Sequence, residues 1–189
     1  MSKVNRGKQF EKQIQNAFEK VENCSIDRLL DPMAGYAGVR NICDFTVYKY
    51  PLNFYLECKC CYGDRFPLSN ITENQWNGLL DKSCIPGIVS GYFIWFIDHD
   101  ITIYVSAKFL NTHYESGSRS ITICDILNWK NLPSNSFMFI RGNKKRILFD
   151  YDMNYFLNEQ LNSKVYFHTI ENNDIYGNIT KEYFPEELK

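Results

Sequence analysis

The chain reads as an α/β fold, a mixed central sheet flanked by helices, and three observations predict it. An amphipathic helix opens the sequence, strands rich in β-branched and aromatic residues follow in pairs, and a capped helix is set between two of those pairs. Helices and strands alternating in this way place the helices on the faces of a sheet rather than in a bundle.

Over residues 7–21, Phe10, Ile14, Ala17, Phe18 and Val21 recur at helical spacing. Lys8, Lys12, Gln13, Gln15, Asn16 and Lys20 fall elsewhere, so the opening helix has one apolar stripe. A strand is expected over 26–30, and the breakers of Asp31-Pro32-Met33-Ala34-Gly35-Tyr36-Ala37-Gly38 mark a loop. Strands over 42–49 and 54–60 follow, joined by a turn containing Pro51 and Asn53. Thr72-Glu73-Asn74-Gln75 has the form of a capping box, and Trp76, Leu79 and Leu80 supply the apolar face of a helix ending near residues 83–87. Residues 89–97 and 101–105, around the turn-like Asp98-His99-Asp100, predict a second hairpin, and 137–141 with 146–149 a third. Residues 151–161 read as a late helix and 164–170 as a short strand. Residues 1–110 are expected to form the core, with 111–189 an extension packed on the same domain.

Composition narrows the class. At 189 residues the chain is long enough to bury a core of its own. Its 44 % hydrophobic and 23 % charged residues exclude disordered and fibrous classes. No apolar run approaches the ~20 residues that span a bilayer, and the opening residues lack the apolar core of a signal peptide. A cytoplasmic protein with no membrane partner is the expectation. Seven cysteines, three of them in Cys58-Lys59-Cys60-Cys61 without a CxxC pair, predict reduced thiols rather than a disulfide framework or a zinc ribbon. A formal charge of −1 argues against nucleic-acid binding purely by bulk electrostatics, so DNA contacts must use local patches. His99, His113 and His168 are scattered without ligand spacing, so none is given a catalytic role.

The chemistry concentrates where strand alternation acts. In Asn53-Phe54-Tyr55-Leu56-Glu57-Cys58-Lys59-Cys60, Tyr55, Glu57 and Lys59 share one face, and Phe54, Leu56, Cys58 and Cys60 the other. A four-residue connection over 50–53 pairs Lys49 with Phe54, Phe45 with Cys58, Val47 with Leu56 and Asp44 with Lys59. That register gathers Phe45, Val47, Leu56 and Cys58 on the core side and Asp44, Glu57 and Lys59 on the other; a one-residue shift would mix the faces. Two carboxylates beside one ammonium are costly to desolvate unless a hard divalent cation compensates. Mg²⁺ takes one or two carboxylates with water and phosphate, a set Asp44 and Glu57 can supply, while Lys59 can orient water and stabilise a charged transition state. On spacing alone an exposed cross-strand salt-bridge cluster, worth ~0.2–1 kcal/mol per pair, remains the alternative. Glu11 lies on the apolar side of the opening helix and needs a partner: a metal shell, or a salt bridge to Arg28 or Arg40. Gln75 is either the capping-box partner of Thr72, a site residue, or both. Lys144-Lys145-Arg146 reads as a solvated hairpin tip ahead of the alternative, a phosphate contact.

On these residues the chain resembles the RecU-type Holliday junction resolvases, a branch of the PD-(D/E)xK nucleases with a restriction-endonuclease-like core. Asn5-Arg6-Gly7 with Glu11 is similar to the family's opening helix, and Asp44 with Glu57-Cys58-Lys59 to its metal motif. Phe66-Pro67-Leu68 with Gln75 is similar to the following segment, and the likeness continues through residues 87–96 and Val105-Ser106-Ala107. The resemblance implies a homodimer that cuts branched or duplex DNA with Mg²⁺, or Mn²⁺ in its place, and a catalytic set of Glu11, Asp44, Glu57, Lys59 and Gln75. Arg6, Lys8, Arg28 and Arg40 flank that set and are the candidate DNA contacts. The resemblance covers roughly the first 110 residues and does not extend over 111–189, and within the part it covers the chain departs from the family in two places. Between Glu11 and Asp44 it is shorter, where the resolvases carry a stalk, and Cys43 stands where the family has Thr. The alternatives are a sequence-specific or nicking endonuclease of the same fold, and a non-catalytic DNA-binding or interaction protein that retains it.

Overall fold

The structure, a computed structural model, describes residues 5–29 and 41–173, with side chains as far as residue 163. The expected loop over 31–38 and the candidate Arg40 lie outside the described residues. In chain order the elements are α1 (Arg6–Phe18), β1 (Ser25–Arg28), β2 (Phe45–Lys49), β3 (Leu52–Cys61), β4 (Arg65–Pro67), α2 (Glu73–Ser83), β5 (Ile88–Phe96) and β6 (Ile101–Ser106). There follow α3 (Ala107–Glu115), β7 (Ser120–Thr122), α4 (Ile123–Asn128), β8 (Phe137–Phe139), β9 (Gly142–Lys145), β10 (Leu148–Tyr151) and α5 (Met153–Asn173).

The main sheet has the order β1-β2-β3-β5-β6-β8. β3 and β5 run parallel, with α2 in the crossover between them, and every other pair is antiparallel. The fold is therefore a mixed α/β sheet with helices on both faces. α1 starts at Asn5, whose side chain accepts the Lys8 N–H at 3.2 Å. Its stripe of Phe10, Ile14, Ala17 and Phe18 packs with Phe156 and Leu157 of α5 onto Phe45, Val47, Phe54, Leu56, Phe93 and Trp95. The opposite face carries Tyr92, Ile94, Phe96, Ile103 and Val105 beneath Leu79 of α2, Leu110 of α3 and Ile126 of α4. Central strands buried on both faces explain why β5 has no polar alternation. Among the described residues no helix is long and apolar enough to cross a membrane.

The structure corrects several expectations. The turn between β2 and β3 is the two residues Tyr50-Pro51, so Lys49 pairs with Leu52, Val47 with Phe54 and Phe45 with Leu56. The register differs by two from the expected one, and an even shift preserves which side chains share a face. The expected third hairpin divides. Phe137–Phe139 joins β6 at the edge of the main sheet, because Phe137 and Met138 are buried on its two faces. The polar Gly142–Lys145 pairs instead with Leu148–Tyr151, turning at Arg146 with φ 63°. The strand expected over 164–170 is part of α5. Asp152 accepts the Tyr155 N–H at 3.0 Å near that helix's start, and extending a formed helix costs less than nucleating a new element. Helices α3 and α4 and the small β4–β7 pair have no counterpart among the sequence expectations.

Candidate active site

β3 carries Glu57 and Lys59 toward α2, as alternation requires. Asp44 sits just before β2, bracketed by β3: its N–H donates to the Leu56 carbonyl at 3.2 Å, and its Oδ2 accepts the Cys58 N–H at 2.8 Å. The residue before the strand is thus locked beside Glu57 by backbone groups on either side of it.

Glu57 is only 3 % exposed. Its Oε1 lies 2.8 Å from the Lys59 ammonium and accepts a 2.6 Å hydrogen bond from Gln75 Nε2. Gln75 Oε1 accepts from Lys59 Nζ at 3.0 Å, closing a three-membered ring of contacts. Glu57 Oε2 is buried and has no hydrogen-bond partner. The exposed salt-bridge alternative does not describe this arrangement, since burial of the carboxylate is nearly complete.

Burial pushes the Glu57 carboxyl up to about 8, with the neighbouring Asp44 charge adding to the rise and Lys59 opposing it. Asp44 rises to about 6, again chiefly by burial, against the stabilising Cys58 N–H. Both shifts say that burial makes the doubly ionised pair costly here, even with Lys59 beside it. A hard cation would offset that cost, and the orphaned Glu57 Oε2 is the atom such an ion would engage. Among the described residues no group of three or more His, Cys, Asp and Glu side chains is placed to hold a metal. Asp44 and Glu57 would be the protein's share, leaving the remaining positions to water and phosphate oxygen, the balance Mg²⁺ takes.

The other candidates divide. Gln75 is both things the sequence left open, since its side chain touches Glu57 and Lys59 while the capping box with Thr72 is complete. Glu11 is held by Arg28 at 2.5 Å, and so sits at the margin of the acidic pair with a partner of its own. Arg28 is thereby committed to a carboxylate on the same side of the molecule as the site. Arg6 donates to Gln9 Oε1 at 2.8 Å, and Lys8 is exposed. Tyr92 was not foreseen: the parallel β3–β5 register sets it opposite Glu57, and burial together with that charge holds its hydroxyl protonated. Only the crossover brings the two strands together, so no local spacing could have signalled it.

A scan against family models finds no match, and a search of curated proteins finds none either. Among solved structures the chain is similar to Hjc, a Holliday junction resolvase from the archaeal hyperthermophile Archaeoglobus fulgidus, with a TM-score of 0.45 and 13 % identity over 63 % of this chain and 90 % of that one. At this depth of superposition the likeness bears on neither the site nor the substrate.

Proposed function

We propose that the chain is a divalent-cation-dependent endodeoxyribonuclease of the PD-(D/E)xK type that hydrolyses branched DNA, four-way junctions first, in recombination or repair. Mg²⁺ is the proposed ion, with Mn²⁺ as substitute. The observation that carries this reading is Glu57: a carboxylate 3 % exposed, beside a second carboxylate, with one oxygen bonded twice and the other unpartnered. Buried carboxylate oxygens are as a rule hydrogen-bonded, so the unpartnered one favours a bound ligand over an ion pair that is structural alone.

Hydrolysis forms a bond from water oxygen to phosphorus and breaks one phosphodiester P–O bond, with charge building on the phosphate oxygens. When bound, the cation supplies positive charge against that build-up and acidifies water. Asp44 and Glu57 would hold it. Lys59, whose side chain is 20 % exposed, reaches solvent while anchored on Glu57 and Gln75, so its ammonium can meet a phosphate oxygen without reorganising. Lys8 lies open to solvent on the helix that carries Glu11, where it can meet a backbone phosphate. A homodimer with two such sites would cut opposite strands of a junction.

The test is cleavage of labelled four-way junctions and matched linear duplexes in Mg²⁺ or EDTA. Metal-dependent cuts in the wild type that vanish in Glu57→Ala support the proposal. Junction binding without cleavage, unchanged in Glu57→Ala, would establish a binder that merely retains the fold, and preference for particular linear sequences would replace the junction as substrate.

A further inference from the structure

We infer that Thr72 is a positioning residue: its backbone N–H dictates which way the Gln75 carboxamide faces, and so which oxygen of Glu57 is left open. The inference rests on the nuclease reading for its consequence in catalysis, but the geometry stands independently.

A carboxamide can be turned by 180° about its last bond with little change in shape, so its orientation is decided by its neighbours. Gln75 Oε1 faces two groups, the Thr72 N–H at 3.2 Å and Lys59 Nζ at 3.0 Å. Both are donors with no acceptor capacity, so neither tolerates the NH₂ end. Nε2 must therefore point the other way, to Glu57 Oε1 at 2.6 Å. That oxygen already takes Lys59 at 2.8 Å, so two donors fill it and Oε2 is left as the only free position on the carboxylate. Lys59, though anchored on Glu57 and Gln75, carries its ammonium at the end of a four-carbon side chain. The Thr72 N–H is fixed by the backbone itself: it belongs to the first residue of a capping box whose hydroxyl also accepts the Gln75 N–H at 3.3 Å. The helix cap is thus the fixed end of the relay from α2 through Gln75 to Glu57.

Two functions of Thr72 can be separated, because its hydroxyl caps the helix while its N–H orients the amide. Thr72→Ser keeps both, Thr72→Ala removes the hydroxyl alone, and Thr72→Pro removes both. Proline fits the backbone there, since Thr72 has φ −72° and ψ 154° and the preceding Ile71 has φ −96° and ψ 124°. We expect Thr72→Ser to match the wild type, and Thr72→Ala to lower Tm with kcat within about threefold. Thr72→Pro should lower kcat a further ~tenfold at unchanged KM for DNA, the worth of one oriented hydrogen bond. In NMR spectra the Gln75 side-chain NH₂ protons, assigned by their loss in Gln75→Ala, should shift in Thr72→Pro and not in Thr72→Ala. The Thr72 amide proton should lose exchange protection in Gln75→Ala, a measurement that needs neither the proline variant nor any activity. Equal kcat losses in Thr72→Ala and Thr72→Pro, or a Thr72 amide indifferent to Gln75→Ala, would overturn the inference. A wild type that does not cleave defeats the nuclease reading while leaving the NMR outcome to decide this one.

Discussion

Glu57 is where sequence, burial and chemistry meet in one side chain. Its carboxyl stands at about 8 against an ordinary 4.5, because burial and Asp44 both disfavour its charge. A carboxyl whose folded pKa exceeds its unfolded value keeps its proton longer in the folded state, so between those values the folded state binds more protons and stability falls as pH rises. Metal-free protein should therefore lose Tm progressively from about pH 4.5 to pH 8 in thermal melts, Asp44 contributing over the lower part of that range. Glu57→Gln should raise the metal-free Tm at pH 8 while abolishing cleavage; a lower Tm at that pH would show that the charge is already compensated. Mg²⁺ affinity measured by calorimetry should strengthen toward pH 8, with proton release on binding. Lys59 answers a different question. Lys59→Ala should cut turnover at least about a hundredfold while DNA affinity stays within a few-fold, and parallel loss of both would make Lys59 mainly a phosphate anchor.

Between elements, α2 matters for how closely it approaches the segment leading into β2. A Cβ on Gly78 would stand 2.4 Å from Ile42 Cγ2 and 2.7 Å from Ile42 Cβ, and Ile42 is two residues before Asp44. Glycine here permits the close contact rather than a special backbone angle. Gly78→Ala should gain about 1 kcal/mol of helix propensity and lose about 1–3 kcal/mol to overpacking, a net loss of up to about 2 kcal/mol that lowers the melting temperature by a few degrees. Asp44 would be displaced, however, and kcat/KM should fall by about tenfold or more. Melts and cleavage rates on the same preparation separate the two effects, and a variant as active as the wild type would show that Ile42 yields without moving the carboxylate.

Across the whole molecule, the core on the α1 side of the sheet, behind the site, is completed by α5. Phe156 of α5 is fully buried, with its ring 5.1 Å from both Phe93 and Tyr104 and 6.3 Å from Phe18. Phe156→Ala should cost about 3–5 kcal/mol in denaturant unfolding. A chain ending at residue 110 should fail to fold cooperatively by circular dichroism, since β8 and α5 supply part of both faces of the sheet. A cooperative transition in that truncation would mean the first 110 residues carry their own core.

What the sequence determined by itself was the local chemistry of faces. Alternation along β3 put Glu57 and Lys59 side by side, the Thr72–Gln75 spacing announced a capping box, and the stripe of α1 declared its buried side, all because these patterns depend only on the geometry of one strand or one helix. The two-residue turn at Tyr50-Pro51 escaped it, harmlessly, because an even register shift conserves the faces. Only the tertiary structure decided that Glu57 is buried, that Gln75 reaches across to it, that Tyr92 stands beside it and that Arg28 takes Glu11. Those contacts join residues 16 to 35 positions apart through a crossover and a packed helix. Desolvation, which raises both carboxyls and leaves one oxygen without a partner, is a property of the assembled core and of no single segment.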